Sequence, residues 1–527
     1  MNPVVVIPTY VGTKRKTPSY NVVATYDHVT PLTHQGELPR CLGSLRDNAV
    51  AAPVLLLVVS ESGVEREASA KIRKIAAAYR EELDIRVFDA GVLAQFHTRA
   101  EQLGLAGIKE GISLTGYGAM RNFGIVAAAT LGFTEIIFLD DDEVVTSPDF
   151  LAQALYGLGK LSKKGIPVLV KSGFYNDRKG RWKSKETRAW YNRYWEQGEL
   201  FNKWISKAMT APRLSRSNAL YGGLMALHRE AYRRVAFDPW IPRGEDLDYL
   251  LNVRMYGGGV WFDNQWSVQH LPPTERNEAQ RFKQDIYRWI YEHRKLEFSK
   301  TQIDLLQIQP HSLDPYPGPF LENSITTRVF VTALLRTIGR AKDRQGYFRA
   351  SQVARREAKA YAEMFCSKYF EFQLGWAQAL GTLEADPQLQ LLFSETSRVE
   401  ASASASASGA MAGANAMPDG TAGGATGNAM GGVRGATAPS AAVAAPTLAV
   451  GGLDPAYLAA ATAAATSTVV TGGTATFQPA QPPITVALQQ PRPVLGASGQ
   501  ASAAKSKPDL FDFELDLEAL GIDLGDD

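Results

Sequence analysis

Residues 135–139 (EIIFL) form a short, largely apolar run that stops on four consecutive acids, Asp140, Asp141, Asp142 and Glu143. A run of this length and hardness reads as a strand buried on both faces. Three more runs have the same character: residues 4–7 (VVVI), closed by Pro8; residues 53–60 (PVLLLVVS); and residues 85–88 (IRVF). Apolar residues recur at helical spacing over 38–45, 65–79 and 119–131. This alternation of strands and helices predicts an α/β fold with a mainly parallel central sheet covered by helices. Such sheets bind ligands beyond the carboxyl ends of their strands, so the acids at 140–143 are placed at the functional edge.

Neighbouring carboxylates repel and raise one another's pKa unless a cation neutralises them. Hard divalent cations take oxygen ligands and bridge to phosphates, so an acidic strand end suits a diphosphate-metal site. An acid run alone also fits a solvated turn. Further along, 148–161 and 246–256 read as helices, and 167–172, 220–227 and 260–262 as strands. Residues 182–204 form an aromatic and basic excursion with Trp182, Trp190, Tyr191, Tyr194, Trp195 and Trp204. These aromatics suit core packing or the lining of a sugar-acceptor groove. The connection over 11–36 is long for a first crossover and carries Lys14, Arg15, Lys16, Asp27, His28 and His34.

In this order and spacing, VVVIPTY, LPRCLGSL, LLLVVSES, GAMRNFGI and IIFLDDDEVV resemble the family 2 glycosyltransferases. The resemblance runs from Val4 to about Pro273. It implies a GT-A fold, a UDP- or GDP-sugar donor, a hydroxyl acceptor such as a saccharide, and a divalent cofactor, Mn²⁺ or Mg²⁺. Position by position, it implies that Pro8 and Thr9 cradle base and ribose, and that Glu61 contacts the base. The family usually has Asp at that last position, and Ser60-Glu61-Ser62 departs from its double-acid pattern. Arg121 and Asn122 match an Arg-Asn pair that approaches the diphosphate. A guanidinium beside a diphosphate pairs strongly, although a helix arginine is ordinarily a surface residue. The DxD motif falls on Asp140, Asp141 and Asp142. Asp140 and Asp141 are thereby placed at the nucleotide-sugar and Asp142 on the metal, with Glu143 as an alternative ligand in the same cluster.

A second acidic motif, Gly244-Glu245-Asp246, opens the helix expected at 246–256. Acids at a helix start also serve as caps. The family's ED motif matches here and implies Asp246 as the general base for the acceptor hydroxyl, with Glu245 in support. Gly222-Gly223 precedes it, where small residues admit a sugar or form a simple turn. His270 lies where related enzymes place a metal or diphosphate ligand. Inversion of the anomeric centre is an implication of the resemblance, and a retaining GT-A enzyme is compatible with the same segments. A sugar nucleotidyltransferase would want a Gly-rich basic loop after the first strand, which PTYVGTKRK matches weakly. A non-catalytic carbohydrate-binding or scaffold protein is the remaining alternative.

The chain has 527 residues and a formal net charge of +2, which leaves no electrostatic footprint for nucleic acid. Its two cysteines, Cys41 and Cys366, exclude a disulfide framework and a multi-cysteine zinc site. The first residues lack the pattern of a secretory signal, and no apolar run approaches the roughly 18 residues that cross a bilayer. A cytoplasmic protein is expected, with room for peripheral attachment at a membrane. The expected organisation is a catalytic domain over 1–275 and an α-helical extension over 276–396, with helices at 276–298, 322–341 and 350–383. A disordered Ala/Gly/Ser/Pro-rich linker over 397–507 follows, with too little apolar bulk to offset chain entropy. The terminal peptide over 508–527 alternates acids with Leu and Phe; it suits either docking on a protein partner or a solubilising tail.

Overall fold

The structure is a computed structural model. It describes residues 1–13, 26, 29–185, 189–273, 278–339 and 343–396. All of them belong to one compact unit, Met1–Gly420; the second unit, Thr421–Asp527, lies outside the described residues. So do the expectations for 397–527 and for Lys14, Arg15, Lys16, Asp27 and His28.

Among the described residues, ten strands form one sheet: β1 (Pro3–Gly12), β2 (Thr30–Pro31), β3 (Val54–Ser60), β4 (Ile85–Phe88), β5 (Glu135–Leu139), β6 (Glu143–Val144), β7 (Val170–Asn176), β8 (Leu214–Arg216), β9 (Leu224–His228) and β10 (Val260–His270). Their order is β4-β3-β1-β5-β9-β7-β10-β6, with β2 beside β1 and β8 beside β10. β4, β3, β1, β5, β7 and β10 all run the same way, and β9 is inserted against them between β5 and β7. The expected α/β class with a mainly parallel sheet is what the chain adopts.

Alternate residues of the central strands feed two separate cores, as the two-residue period requires. Val5, Ile7, Leu56, Val58, Ile137 and Leu139 enter the core beneath α1 (Leu38–Asp47), α2 (Glu65–Ala77) and α5 (Phe150–Leu155). Val4, Val6, Leu55, Leu57, Ile136 and Phe138 face the opposite core. That core is covered by α3 (Ala90–Gln102) and α4 (Tyr117–Thr130). Burial on both faces is why these strands read as unbroken apolar runs rather than alternating ones.

The remaining helices are α6 (Gln197–Met209), α7 (Arg229–Arg234), α8 (Glu245–Met255), α9 (Glu278–Ser299), α10 (Ile325–Gly339), α11 (Arg344–Arg355), α12 (Glu357–Glu384) and α13 (Pro387–Glu395). The helix expected at 350–383 is thus two, breaking at Arg356. The helical extension shares the second core with the sheet region. Trp376 Nε1 donates to Tyr232 O at 2.8 Å, Gln373 bonds the backbone of Arg234 and Ala236, and Phe393 packs on Phe88, Phe96 and Phe123. No helix among the described residues is long and apolar enough to cross a membrane.

Candidate active site

The ladder between β1 and β5 ends at Val6 and Phe138, while β1 stays paired with β3 to Val11. A crevice therefore opens on the β5 side of β1. Pro8 points into that side, where its missing N–H costs no ladder bond. The expectation that Pro8 and Thr9 end β1 is corrected, because the strand continues to Gly12. Thr9 is buried and its hydroxyl donates to Asp141 Oδ2 at 2.7 Å. Glu61 follows β3 and accepts from Thr13 N at 2.9 Å and Thr13 Oγ1 at 2.8 Å, beside the end of β1.

Beyond β5 the chain turns tightly. Glu143 N donates to Asp140 O at 3.1 Å, and Asp140 N donates to Glu143 Oε2 at 3.2 Å. The turn delivers Glu143 into β6, which pairs with the end of β10 so that His270 lies opposite Glu143. This register brings His270 Nε2 to 3.2 Å from Asp142 Oδ2, and Leu271 N to 2.9 Å from Asp142 O. Asp141, Asp142 and Glu143 are buried, while the Asp140 side chain remains 36 % exposed. Burial, then the neighbouring acids Asp142 and Asp141, push the Asp140 carboxyl up despite Arg121. Burial pushes Glu143 well up, with Asp140 and Asp142 adding to it.

The second acidic motif arrives from the other side of a glycine turn. Gly244 caps α8 in the left-handed region, at φ +73°, with the Arg288 guanidinium filling the space a Cβ would take. Asp246 then accepts from Leu247 N at 2.7 Å through Oδ1 and from Gly222 N at 3.2 Å through Oδ2. Its side chain is 26 % exposed, and Arg288 Nη2 stands 3.9 Å away. Gly222 and Gly223 fit between the motifs. A Cβ on Gly222 would lie 3.4 Å from Asp246 Cβ and 3.1 Å from Glu245 Oε1; one on Gly223 would lie 2.7 Å from Asp140 Oδ2 and collide with Glu143. Close approach of side chains, not turn flexibility, demands glycine at both positions.

Arg121, from α4, ties the motifs together. Its Nη2 lies 2.8 Å from Glu245 Oε1 and 3.5 Å from Asp140 Oδ1, and Nε donates to Glu245 Oε1 at 2.9 Å. The guanidinium is buried, stacks on Phe138 at 4.9 Å, and its Nη1 has no partner among the described residues. Burial would lower its pKa, but Glu245 and Asp140 outweigh that and raise it. Burial in turn pushes Glu245 up.

Asn122 departs from its expected place at the nucleotide. It is fully buried, donates to Gly111 O at 2.9 Å and Phe237 O at 3.0 Å, and accepts from Phe237 N at 2.9 Å. Its amide is consumed in fixing α4 to two loops. Asp248, two residues after Asp246, is likewise structural. Lys295 Nζ reaches both Asp248 Oδ1 and Asp238 Oδ2 at 2.7 Å and clamps α8 to α9.

Several site residues left no mark in the sequence. Tyr175, near the end of β7, accepts from Gly223 N at 2.8 Å, bonds Glu143, and stacks on His270 with ring centroids 4.9 Å apart. Arg288 and Tyr316 flank Asp246 electrostatically. Tyr10, Tyr26 and Tyr117 form a ring cluster at the crevice, with centroids 4.3–5.9 Å apart. Each is brought in by topology, so no local spacing signals it.

The acids Asp140, Asp141, Asp142, Glu143, Glu245 and Asp246 outnumber the guanidiniums of Arg121 and Arg288 beside them. That excess suits a divalent cation, and Asp142 Oδ2 and His270 Nε2, 3.2 Å apart, are close enough to share one. No group of three ligating side chains occurs among the described residues. Two protein ligands still fit Mg²⁺-type binding, in which substrate phosphates and water complete the sphere.

No family model matches the sequence, and no curated protein matches it. Among solved structures, the chain is similar to a mannosyltransferase from Pyrobaculum calidifontis in complex with GDP-mannose and Mn²⁺. The identity is 13 %, over 76 % of this chain and 86 % of that one, with a TM-score of 0.32. A glucosyl-3-phosphoglycerate synthase from Mycobacterium tuberculosis, with Mg²⁺ and UDP, matches at 12 % identity over 55 % and 77 %, TM-score 0.29. GalNAc-T7 with UDP, GalNAc and Mn²⁺ matches at 13 % over 55 % and 50 %, TM-score 0.29.

Proposed function

We propose that the chain is a metal-dependent glycosyltransferase that moves a sugar from a nucleoside-diphosphate sugar to an acceptor hydroxyl. The observation that carries this reading is the convergence of two acidic motifs on the Gly222-Gly223 turn, bridged by the buried Arg121. Asp142 and His270 are the residues that would hold a divalent cation. When bound, it would neutralise charge on the departing diphosphate. Arg121 offers the unpartnered Nη1 to the same anion, in a buried setting where such a bond is strong.

Asp246 serves as general base. Its two hydrogen bonds fix the carboxylate plane, and each oxygen keeps a second lone pair for the acceptor hydroxyl. The proton passes to Asp246 as the hydroxyl oxygen attacks C1 and the C1–O bond to the diphosphate breaks, which inverts the anomeric centre. Glu245 holds Arg121 rather than touching the reacting atoms. Pro8, Thr9 and Glu61 are the residues that would border base and ribose, with the half-buried Tyr117 ring packed on Tyr10 nearby. Asp141 acts through its bond to Thr9.

The test is release of free nucleoside diphosphate from UDP- and GDP-sugars with Mn²⁺. Turnover that requires both Asp142 and Asp246 supports transfer. Release of pyrophosphate, or binding without any turnover, sinks it.

A further inference from the structure

A cavity of about 620 Å³ opens beside the reaction centre, between residues 184–185, residues 189–201, Tyr316 and Arg336 of α10. Its volume is that of a small-molecule site rather than a surface dimple. Phe201 and Tyr316 form its inner wall, with ring centroids 5.6 Å apart, and Phe201 also packs at 6.0 Å on Tyr221, the residue before the Gly222-Gly223 turn. Tyr316 feels the charge of Asp246 through the same wall. The cavity therefore abuts the side of the centre where the candidate base stands.

Its chemistry is specific. Trp190 is 57 % exposed at the rim, an unusual placement for the largest apolar side chain. Of the six aromatics in this excursion, Trp204 is buried and does not line the cavity, while Trp195 lines it but is 8 % exposed, packed on Phe282 and Phe320. The polar lining includes planar side chains, among them Gln197, which bonds the Tyr316 hydroxyl, and Glu196, beside Ser184 and Lys185. Cations and acids are both present: Lys185, Arg193 and Arg336 line the cavity with Glu196 and Glu199, of which Glu199 pairs with Lys203 at 3.0 Å and Arg336 is turned onto Asn192 at 2.9 Å and the Phe282 ring. The lining has little excess of either sign, so it is matched to a neutral ligand. Planar amides and carboxylates pair with vicinal hydroxyls, and an exposed indole stacks on the apolar face of a pyranose.

The geometry points to this cavity as the binding site of a neutral oligosaccharide acceptor, with Trp190 as its stacking platform. The assignment rests on the transferase reading for the word acceptor; saccharide binding itself does not. Binding is measured by calorimetry on the full chain, without donor or metal, using cellotetraose, maltotetraose, laminaritetraose, chitotetraose and mannotetraose as probes. At least one binds, Trp190→Ala weakens it about tenfold, and Trp190→Phe restores most of the loss. Leu374→Ala, at an 85 % exposed position on α12, binds as the parent does. Thermal melting confirms that the variants are folded. No binding across the panel, binding unchanged in Trp190→Ala, or preference for a sugar phosphate overturns the site. Nucleoside-diphosphate release is read separately with the bound tetrasaccharide. Binding without release refutes the transferase reading and leaves a saccharide site; release to other acceptors without saccharide binding does the reverse.

Discussion

Arg121 and Glu245 meet at 2.8 Å across 124 residues of chain, and both are buried. The pair joins the helix that follows the first crossovers to the helix that carries the candidate base. A buried charge pair is weak evidence for net stability, but removing one partner strands the other. Arg121→Ala is therefore expected to cost about 3–5 kcal/mol of stability and to abolish nucleoside-diphosphate release. Arg121→Lys keeps the charge and recovers part of the melting temperature. It does not recover turnover, because an ammonium lacks the fork that serves Glu245 and a diphosphate together. Thermal melting and turnover, measured on both variants, check this; a fully active Arg121→Lys would contradict it.

The Asp142–His270 contact predicts how metal acts. Mn²⁺ with UDP or GDP should raise the melting temperature of the parent, by mass action on the folded state. Asp142→Asn should lose that rise, and His270→Ala should weaken the metal response by about tenfold or more without unfolding the protein. His270 is the last residue of β10 and its side chain is 32 % exposed, so truncation gives up the Tyr175 ring contact but leaves no sealed cavity. A metal response unchanged in Asp142→Asn would remove the cation from this site.

Asp246 and Gly244 separate chemistry from positioning. Asp246→Asn keeps only one of the bonds from Gly222 N and Leu247 N, because the amide NH2 cannot accept the other, and it removes the base, so donor binding persists while kcat falls about a hundred- to ten-thousandfold. Gly244→Ala adds a left-handed penalty of about 1–2 kcal/mol and collides with Arg288. It should lower stability and turnover together. Donor titration beside single-turnover kinetics distinguishes the two patterns.

The sequence disclosed most where one local rule decided the outcome. β1, β3 and β5 are buried on both faces, so their apolar runs announce them, and the acids after β5 lie where a parallel sheet binds ligands. α3 gives little signal because Val92, Phe96 and Ala100 make a thin stripe, although Asp89 caps it at Gly91 N and Val92 N. β10 read as three residues because Asp263-Asn264-Gln265 interrupts it; the strand bulges there, and Asp263 is neutralised inside by Lys171 at 2.8 Å and Arg213 at 3.1 Å. Asn122 is expected at the nucleotide only through its match to the family's Arg-Asn pair, yet on a helix adjacent residues face different ways. Tyr175, Arg288 and Tyr316 reach the site only through sheet order and helix packing, which no window of sequence contains.

Glu292 supplies a prediction in pH. It is fully buried, accepts from Arg288 Nε at 3.2 Å, and its second oxygen has no partner among the described residues. Burial pushes its carboxyl up to about 8 against the opposing pull of Arg288. A folded-state value raised above the unfolded one contributes stability that is fully present at low pH. That stability is lost as pH rises from the unfolded value of 4.5 through about 8. Each unit of pH over that window costs at most about 1.4 kcal/mol from this group. Glu292→Gln keeps an acceptor for Arg288 Nε and cannot ionise, so it removes this group's downward slope. The variant is expected to melt at a higher temperature than the parent at pH 8 and to converge with it near pH 5. Melting curves across that range decide the matter, and parallel curves for parent and variant would show that Glu292 does not titrate there.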